Sequence, residues 1–138
     1  LYASAAFLSG NLSTKIGLMS VMRIGMLLNL LSGVLFFTSI AIFGVTLFSI
    51  ITPLVIMFFA HGFIVPTSMT KAVSDRPEIA GSSSGLSSAL GLVTGGLFSI
   101  LSGAVYAGSF LPISFIVMAS TIMCSLSYSL IKWGEKSN

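Results

Sequence analysis

The sequence predicts an all-α integral membrane protein with four full transmembrane helices and one truncated helix. Hydrophobic residues make up 55% of the 138 residues and charged residues only 7%, and the mean hydropathy is +1.09. Both values lie far outside the range of soluble globular domains. The charged residues also fall into three clusters separated by long apolar stretches, which is the pattern of a multi-pass protein.

The chain before the first full span has two parts. Residues 1–10 are apolar, but as a helix they are only about 15 Å long, half of the roughly 30 Å hydrocarbon thickness. They are therefore expected to be the tail of a truncated transmembrane helix, and the chain, which opens on Leu1 without a signal-peptide pattern, is expected to be a fragment. Residues 11–23 begin with polar side chains and carry Lys15 and Arg23, which predicts a cytoplasmic loop.

The first two full spans share one long apolar stretch. It extends from residue 24 to residue 70, a length that suits two spans of about 20 residues joined by a tight turn. Gly44–Thr46 is the best place for that turn. The sequence therefore predicts transmembrane helices over 24–43 and 47–70.

The rest of the chain alternates charged and apolar segments. A charged cytoplasmic hinge is predicted at 71–78 and a transmembrane helix at 79–106. A turn containing Gly and Pro at 107–112 precedes the last transmembrane helix, 113–131, and a cytoplasmic tail, 132–138. With this layout the six basic and three acidic side chains all lie on one side of the membrane, which the positive-inside rule assigns to the cytoplasm.

Small residues recur at intervals of four in the third full span. Gly81, Gly85 and Ala89 share one helix face, and Gly91 and Gly95 repeat the interval. Such spacing lets the backbone of a neighbouring helix approach closely. It predicts helix packing, and the alternative is that this smooth face also slides or rocks against a partner bundle during transport.

His61 is the one His, Asp, Glu, Lys or Arg side chain within the predicted spans. Ionisable residues inside a membrane are functional candidates, because burying charge there is costly. With Met57 and Phe58 nearby, His61 predicts a substrate or proton pathway, and the alternative is a neutral imidazole hydrogen-bonded to a neighbouring helix. Pro53 and Pro66 lie in the same span and are expected to bend the helix.

The remaining polar groups favour neither an enzyme nor a metal site. The predicted spans contain no carboxylate and no second His, so no catalytic residue, metal ligand or cofactor is predicted. Six basic residues are too few for a phosphate-binding surface, so nucleic acid is not an expected partner. Asn29 and Ser32 are expected to form hydrogen bonds between helices, and Tyr128 and Trp133 are expected to anchor the protein at the membrane interface.

Two segments carry a resemblance to a known family. Gly62-x-x-x-Pro66, the charged hinge, the run AGSSSGL from Ala80 and then Gly91 resemble the tenth and eleventh helices of the major facilitator superfamily. Within it, the pattern is most similar to the bicyclomycin-resistance (Bcr/CflA) branch of drug:proton antiporters.

The second segment lies near the start of the chain. Residues 10–17, GNLSTKIG, resemble the superfamily's loop between helices eight and nine, a copy of the motif Gly-x-Leu-x-Asp-Arg-x-Gly. Gly10 and Gly17 stand at the motif's glycines, Thr14 replaces its Asp and Lys15 replaces its Arg.

The resemblance covers the chain from the end of helix eight to helix twelve of a twelve-helix fold. It implies the C-terminal portion of a proton-coupled multidrug efflux transporter in a bacterial inner membrane. The implied partners are the lipid bilayer, a small drug-like substrate, protons and a missing N-terminal half that holds helices one to seven. In such transporters the tenth helix lines the central cavity, which implies that His61 and Met57 lie near the substrate path.

Two alternatives remain open from the sequence. The first is a non-transporting membrane remnant or structural membrane module. The second is a small four-helix multidrug exporter, which would need an acidic residue within the membrane to exchange protons.

Overall fold

A computed structural model shows a helical chain. The structure describes residues 2–75, 77–106 and 108–137, and these contain no β-strand. Their α-helices are α1 (Tyr2–Ile16), α2 (Leu18–Phe43), α3 (Leu47–Asp75), α4 (Ala80–Val105) and α5 (Leu111–Ser137), with a short 3-10 turn at Pro77–Ile79. Of the described helices, α2 to α5 are long and apolar enough to cross a membrane. The described residues thus form no strand, and four of their helices are long and apolar enough to cross a membrane, as predicted.

Parts of the predicted layout lie outside the described residues. They are the start of the truncated helix, one hinge residue, one residue of the last turn and the chain end: Leu1, Arg76, Ala107 and Asn138. The side chains of four charged residues also lie outside the description: Asp75, Lys132, Glu135 and Lys136.

The helices α2 and α3 form the most extensive interface and run antiparallel. Gly25, near the start of α2, lies against Phe63 and Ile64 in the second half of α3. Further along α2, Phe36 lies beside Pro53 in the first half of α3. Later residues of α2 therefore contact earlier residues of α3, which means that the two helices run in opposite directions.

The predicted tight turn joins these two helices. Gly44 caps α2 with φ 66° and ψ −161°, a conformation available to glycine alone. At the start of α3, the Ser49 backbone N–H donates to the Thr46 hydroxyl and the Thr46 backbone N–H donates to the Ser49 hydroxyl. This reciprocal pair is a capping box, which satisfies backbone donors that a helix start leaves free.

The helix α5 packs antiparallel on the other side of α2. The hydroxyl of Tyr128, late in α5, donates to the carbonyl oxygen of Met19, early in α2, at 3.3 Å. At the far ends of the two helices, the rings of Phe37 and Phe115 meet edge to face with centroids 6.2 Å apart. Tyr128 is therefore buried between helices at the charged end of the bundle, and its role as an interfacial anchor stays a prediction.

The helix α1 packs against α3 and α2 through its small residues. Ala5 forms a buried cluster with Val21 and Phe63. At Gly62 the backbones of α1 and α3 approach so closely that a Cβ would lie 2.8 Å from the carbonyl oxygen of Tyr2. The helix α4 differs from the other spans, since it contacts only α3, the 3-10 turn and α5 and contains no buried residue.

Because neighbouring helices are antiparallel, the described charged residues lie at one end of the bundle. The start of α2, the end of α3 and the end of α5 lie together at that end. The described charged side chains belong to these regions or to the adjoining end of α1 and the 3-10 turn: Lys15, Arg23, Lys71 and Glu78.

The prediction of a loop over residues 11–23 is wrong. Helix α1 continues to Ile16 and α2 begins at Leu18, so only Gly17, with φ 85°, interrupts the helices. The hydroxyls of Ser13 and Thr14 donate to the carbonyls of Gly10 and Asn11 in their own helix, at 2.8 Å each. Their polarity is thus satisfied within a helix, where the sequence had suggested a loop.

Other helix boundaries also extend beyond the predicted spans. The helix α3 continues through residues 71–75 of the predicted hinge, and α5 continues through most of the predicted tail, 132–138. Pro112, assigned to a turn, is the second residue of α5, where the missing N–H of proline costs no helical hydrogen bond. Helix α4 nearly matches its predicted range of 79–106.

Candidate functional site

His61 is the middle residue of α3. It lies on the exposed face of that helix with Phe58, Val65 and Ser68, and this face is called the open side of α3. Its Nδ1 lies 2.8 Å from the carbonyl oxygen of Met57, one turn earlier. A carbonyl oxygen only accepts, so Nδ1 must carry a hydrogen, and in the neutral ring Nε2 is then the free acceptor. Because Gly25 of α2 lies against Phe63 and Ile64, His61 lies nearer the charged end of the bundle than the opposite end.

The three predicted pathway residues do not form one cluster. Phe58, 54% exposed, lies on the same open side of α3 as His61. Met57 instead lines an interior cavity of about 30 Å³ with Ser32 of α2 and Val117 of α5. Met57 therefore contributes only its carbonyl oxygen to His61, and its side chain belongs to the packing between helices.

A groove separates α3 from α4, beginning one helical turn beyond His61. Its volume is about 390 Å³. The groove walls mix hydroxyls with apolar groups: Val65, Ser68, Met69 and Ala72 on α3, and Ser87, Ser88 and Gly91 on α4. Such a mixture suits a mostly apolar ligand that carries a few polar atoms.

The predicted small-residue face of α4 makes no close contact within the described chain. A Cβ added at Gly81, Gly85, Gly91 or Gly95 would meet no atom within 4 Å, and Ala89 is exposed. The face that the sequence prepares for close helix packing is therefore left open.

The glycines that do bring helices together lie elsewhere. A Cβ at Gly25 would lie 2.9 Å from the Phe63 Cβ, and one at Gly33 would overlap the side chain of Thr121. Gly62 meets the backbone of α1, as described above. None of the three was predicted to be a packing residue, although Gly25 and Gly33 flank Asn29 at intervals of four, a spacing similar to that recognised in α4.

The two prolines lie inside α3, which continues as one helix through both. Pro53 is fully buried. Near Pro66, the hydroxyl of Thr67 donates to the Phe63 carbonyl at 2.5 Å and that of Thr70 donates to the Pro66 carbonyl at 2.8 Å. The carbonyl that loses its helical donor to Pro66 is that of Gly62, four residues earlier, and these two hydroxyls bond to other carbonyls of the helix.

Asn29 is the most unusual buried group. It is 3% exposed, and its Oδ1 accepts no hydrogen bond within the described structure. The hydroxyl of Ser32 donates at 2.7 Å to the carbonyl of Asn29 in the same helix. Neither the Oδ1 of Asn29 nor the hydroxyl of Ser32 forms the predicted hydrogen bond between helices.

The residues of the N-terminal motif lie at the charged end of the bundle. Gly17 separates two helices with its positive φ, whereas Gly10 lies inside α1 and has open space around it. Lys15 occupies the last turn of α1, where a positive charge complements the helix dipole.

Comparison of the chain with known protein families, with curated proteins and with solved structures gives no match in any of the three. Among the described residues, no three His, Cys, Asp or Glu side chains are grouped as metal ligands would be. The candidate site is therefore the open side of α3 together with the groove between α3 and α4.

Proposed function

We propose that this chain is the C-terminal portion of a proton-coupled multidrug efflux transporter of the bicyclomycin-resistance branch of the major facilitator superfamily. The observation that carries the proposal is the open side of α3 and α4. There, the small residues of α4 are unburied, and a groove of mixed polarity begins one helical turn beyond His61, the one His, Asp, Glu, Lys or Arg side chain of the predicted spans. Secondary transporters bind substrate near the middle of the membrane, between two helix bundles.

In this proposal His61 contacts the substrate or carries a proton. Its Nδ1–H is engaged by Met57, so Nε2 is the atom that receives a proton or a substrate donor. Phe58, three residues earlier on the open side, offers an aromatic surface to an apolar drug.

The small residues of α4 support a moving interface. Glycines with open space above them form a smooth surface, against which a second helix bundle can pack closely and rock during alternating access. In the proposed transporter that bundle is the N-terminal half. The charged end of the described helices then faces the cytoplasm of a bacterium, as the positive-inside rule requires of an inner-membrane protein.

Transport is proposed in preference to catalysis because His61, the one His, Asp, Glu, Lys or Arg side chain of the predicted spans, has a backbone carbonyl as its partner. Catalytic sites need a nucleophile or an acid and base pair within hydrogen-bond reach of each other.

The test is efflux by the chain expressed with its complete coding region in a drug-sensitive bacterial host. Drug susceptibility and drug-induced proton flux in inverted membrane vesicles are measured for wild type, His61→Ala and Ser127→Ala. Ser127 is a matched control, because it is exposed in the membrane and its hydroxyl donates to the carbonyl four residues earlier, yet it lies on α5, away from the open side.

We expect wild type and Ser127→Ala to confer resistance and His61→Ala to lose at least tenfold in drug-induced proton flux at equal membrane abundance. If the wild type confers no resistance and no flux with any compound, the structural membrane module becomes the better hypothesis. If His61→Ala behaves as Ser127→Ala does, transport stands and the pathway role of His61 is overturned.

A further inference from the structure

A second groove lies between α2 and α5 at the charged end of the bundle, away from the open side of α3 and α4. Its volume is about 270 Å³. Arg23 lies at one end of the groove, and its walls are Met26 and Leu30 of α2 and Ser125, Tyr128 and Ser129 of α5. The lining thus offers one cation followed by about 10 Å of mainly apolar helix surface.

Short side chains on α5 create this space. The hydroxyl of Ser125 donates to the Thr121 carbonyl at 3.0 Å, and that of Ser129 donates to the Ser125 carbonyl at 3.1 Å. Both serines therefore fold back onto their own helix and leave a gap opposite the longer side chains of α2. The bond from Tyr128 to Met19 keeps the two helices together beside the gap.

The position of Arg23 suits a lipid headgroup. The part of α2 between Arg23 and Gly44 is about 30 Å long, which equals the hydrocarbon thickness, so Arg23 lies at the headgroup level. The side chain is exposed, and no described side chain forms an ion pair with it. Its charge is available to an anion at the membrane surface.

We propose that this groove binds an anionic phospholipid of the surrounding leaflet, with its phosphate against Arg23 and the upper part of an acyl chain along Met26 and Leu30. A lipid fits better than another helix, because the lining combines a single cation at the membrane surface with an apolar channel toward the bilayer interior. The proposal does not depend on transport.

Native mass spectrometry of the delipidated chain in detergent tests the proposal. The probes are dioleoylphosphatidylglycerol and dioleoylphosphatidylethanolamine, which share acyl chains and differ in headgroup charge. We expect wild type to bind the anionic lipid about fivefold more tightly, since one basic residue near the surface contributes that much. Excess inorganic phosphate should not displace the lipid, because the acyl chain supplies much of the contact.

Two sets of variants test the headgroup contact and the acyl-chain groove separately. Arg23→Gln should abolish the headgroup preference, whereas Arg23→Lys and the control Lys15→Gln should retain it. Ser129→Leu should fill the groove and weaken both lipids several-fold. Its matched control is Ser127→Leu, on the same helix with the same type of hydroxyl hydrogen bond, which should change neither.

Three results would overturn the proposal. They are an anionic preference that survives Arg23→Gln, equal lipid binding by Ser129→Leu and Ser127→Leu, and full displacement of the lipid by inorganic phosphate. If Arg23→Gln fails to fold, the two serine variants still decide the matter, since neither removes a charge.

Discussion

The contact between Gly33 and Thr121 makes the stability of the α2–α5 pair sensitive to one methyl group. A Cβ at Gly33 would lie 2.9 Å from the Cγ2 and 3.1 Å from the Cβ of Thr121, and closer still to its Oγ1. Thr121 is 3% exposed, and its hydroxyl donates to the Met118 carbonyl at 2.8 Å. A β-branched side chain in a helix has few alternative rotamers, so α2 and α5 must separate to admit the methyl group.

The expected size of the effect follows from two opposing terms. Overpacking costs about 1–3 kcal/mol, and the better helix propensity of alanine returns up to about 1 kcal/mol. Gly33→Ala should therefore lose about 1 kcal/mol of unfolding free energy, a fall of about 3–5 °C in Tm for a chain of this size. Gly95→Ala, at a site with open space, should leave Tm unchanged or raise it.

The assay is thermal unfolding in detergent, followed by a thiol-reactive dye. Cys124 is the one cysteine of the chain, and its Sγ lies 3.6 Å from the Met26 sulfur between α2 and α5. Its reactivity therefore reports the separation of these two helices. Adding Thr121→Ala to Gly33→Ala should recover most of the lost stability, because it removes the atoms that clash.

Either of two results would refute the argument. Gly33→Ala could raise Tm as Gly95→Ala does, or the double variant could be no more stable than Gly33→Ala alone. Both would mean that α2 and α5 do not meet at this pair of residues.

Three further predictions concern single groups. Asn29→Leu should increase the free energy of unfolding by about 1 kcal/mol and so raise Tm, because it removes a buried acceptor without a partner; a lower Tm would contradict this. Tyr128→Phe should lose about 0.5–1.5 kcal/mol with the hydrogen bond to Met19, and faster labelling of Cys124 at constant temperature is the measurement, an unchanged rate being the opposing result. Gly44→Ala should cost about 1–3 kcal/mol because of its φ of 66°, measured as helix loss by circular dichroism in rising sodium dodecyl sulfate, and an unshifted midpoint would count against it.

The number of spans could be predicted because it depends on local composition. A stretch of about 20 apolar residues is long enough to cross a membrane whatever surrounds it, and the turn after Phe43 needed a residue such as Gly44 that tolerates positive φ. The end of α1 could not be predicted, since hydroxyls that bond to their own helix conceal its continuation into polar sequence. Ser13 and Thr14 are the examples.

The packing could not be predicted because it depends on which helices meet. Regularly spaced glycines occur in α2, eight residues apart, and in α4, four residues apart, and of these only Gly25 and Gly33 of α2 lie close to another helix in the described chain. Gly33 meets Thr121, a residue far away in the sequence, and no local pattern identifies that partner. For the same reason Met57 and Phe58, neighbours along the chain, lie on different sides of α3.

The pairing of α2 with α5 also sets the order in which the protein can be assembled. Met19 and Tyr128 are separated by 109 residues, and translation proceeds at about 5–20 residues per second. About 5–20 s therefore pass between the synthesis of α2 and the synthesis of the part of α5 that contacts it. During that time Gly33 lies on a helix face that lacks its partner, Thr121 of α5.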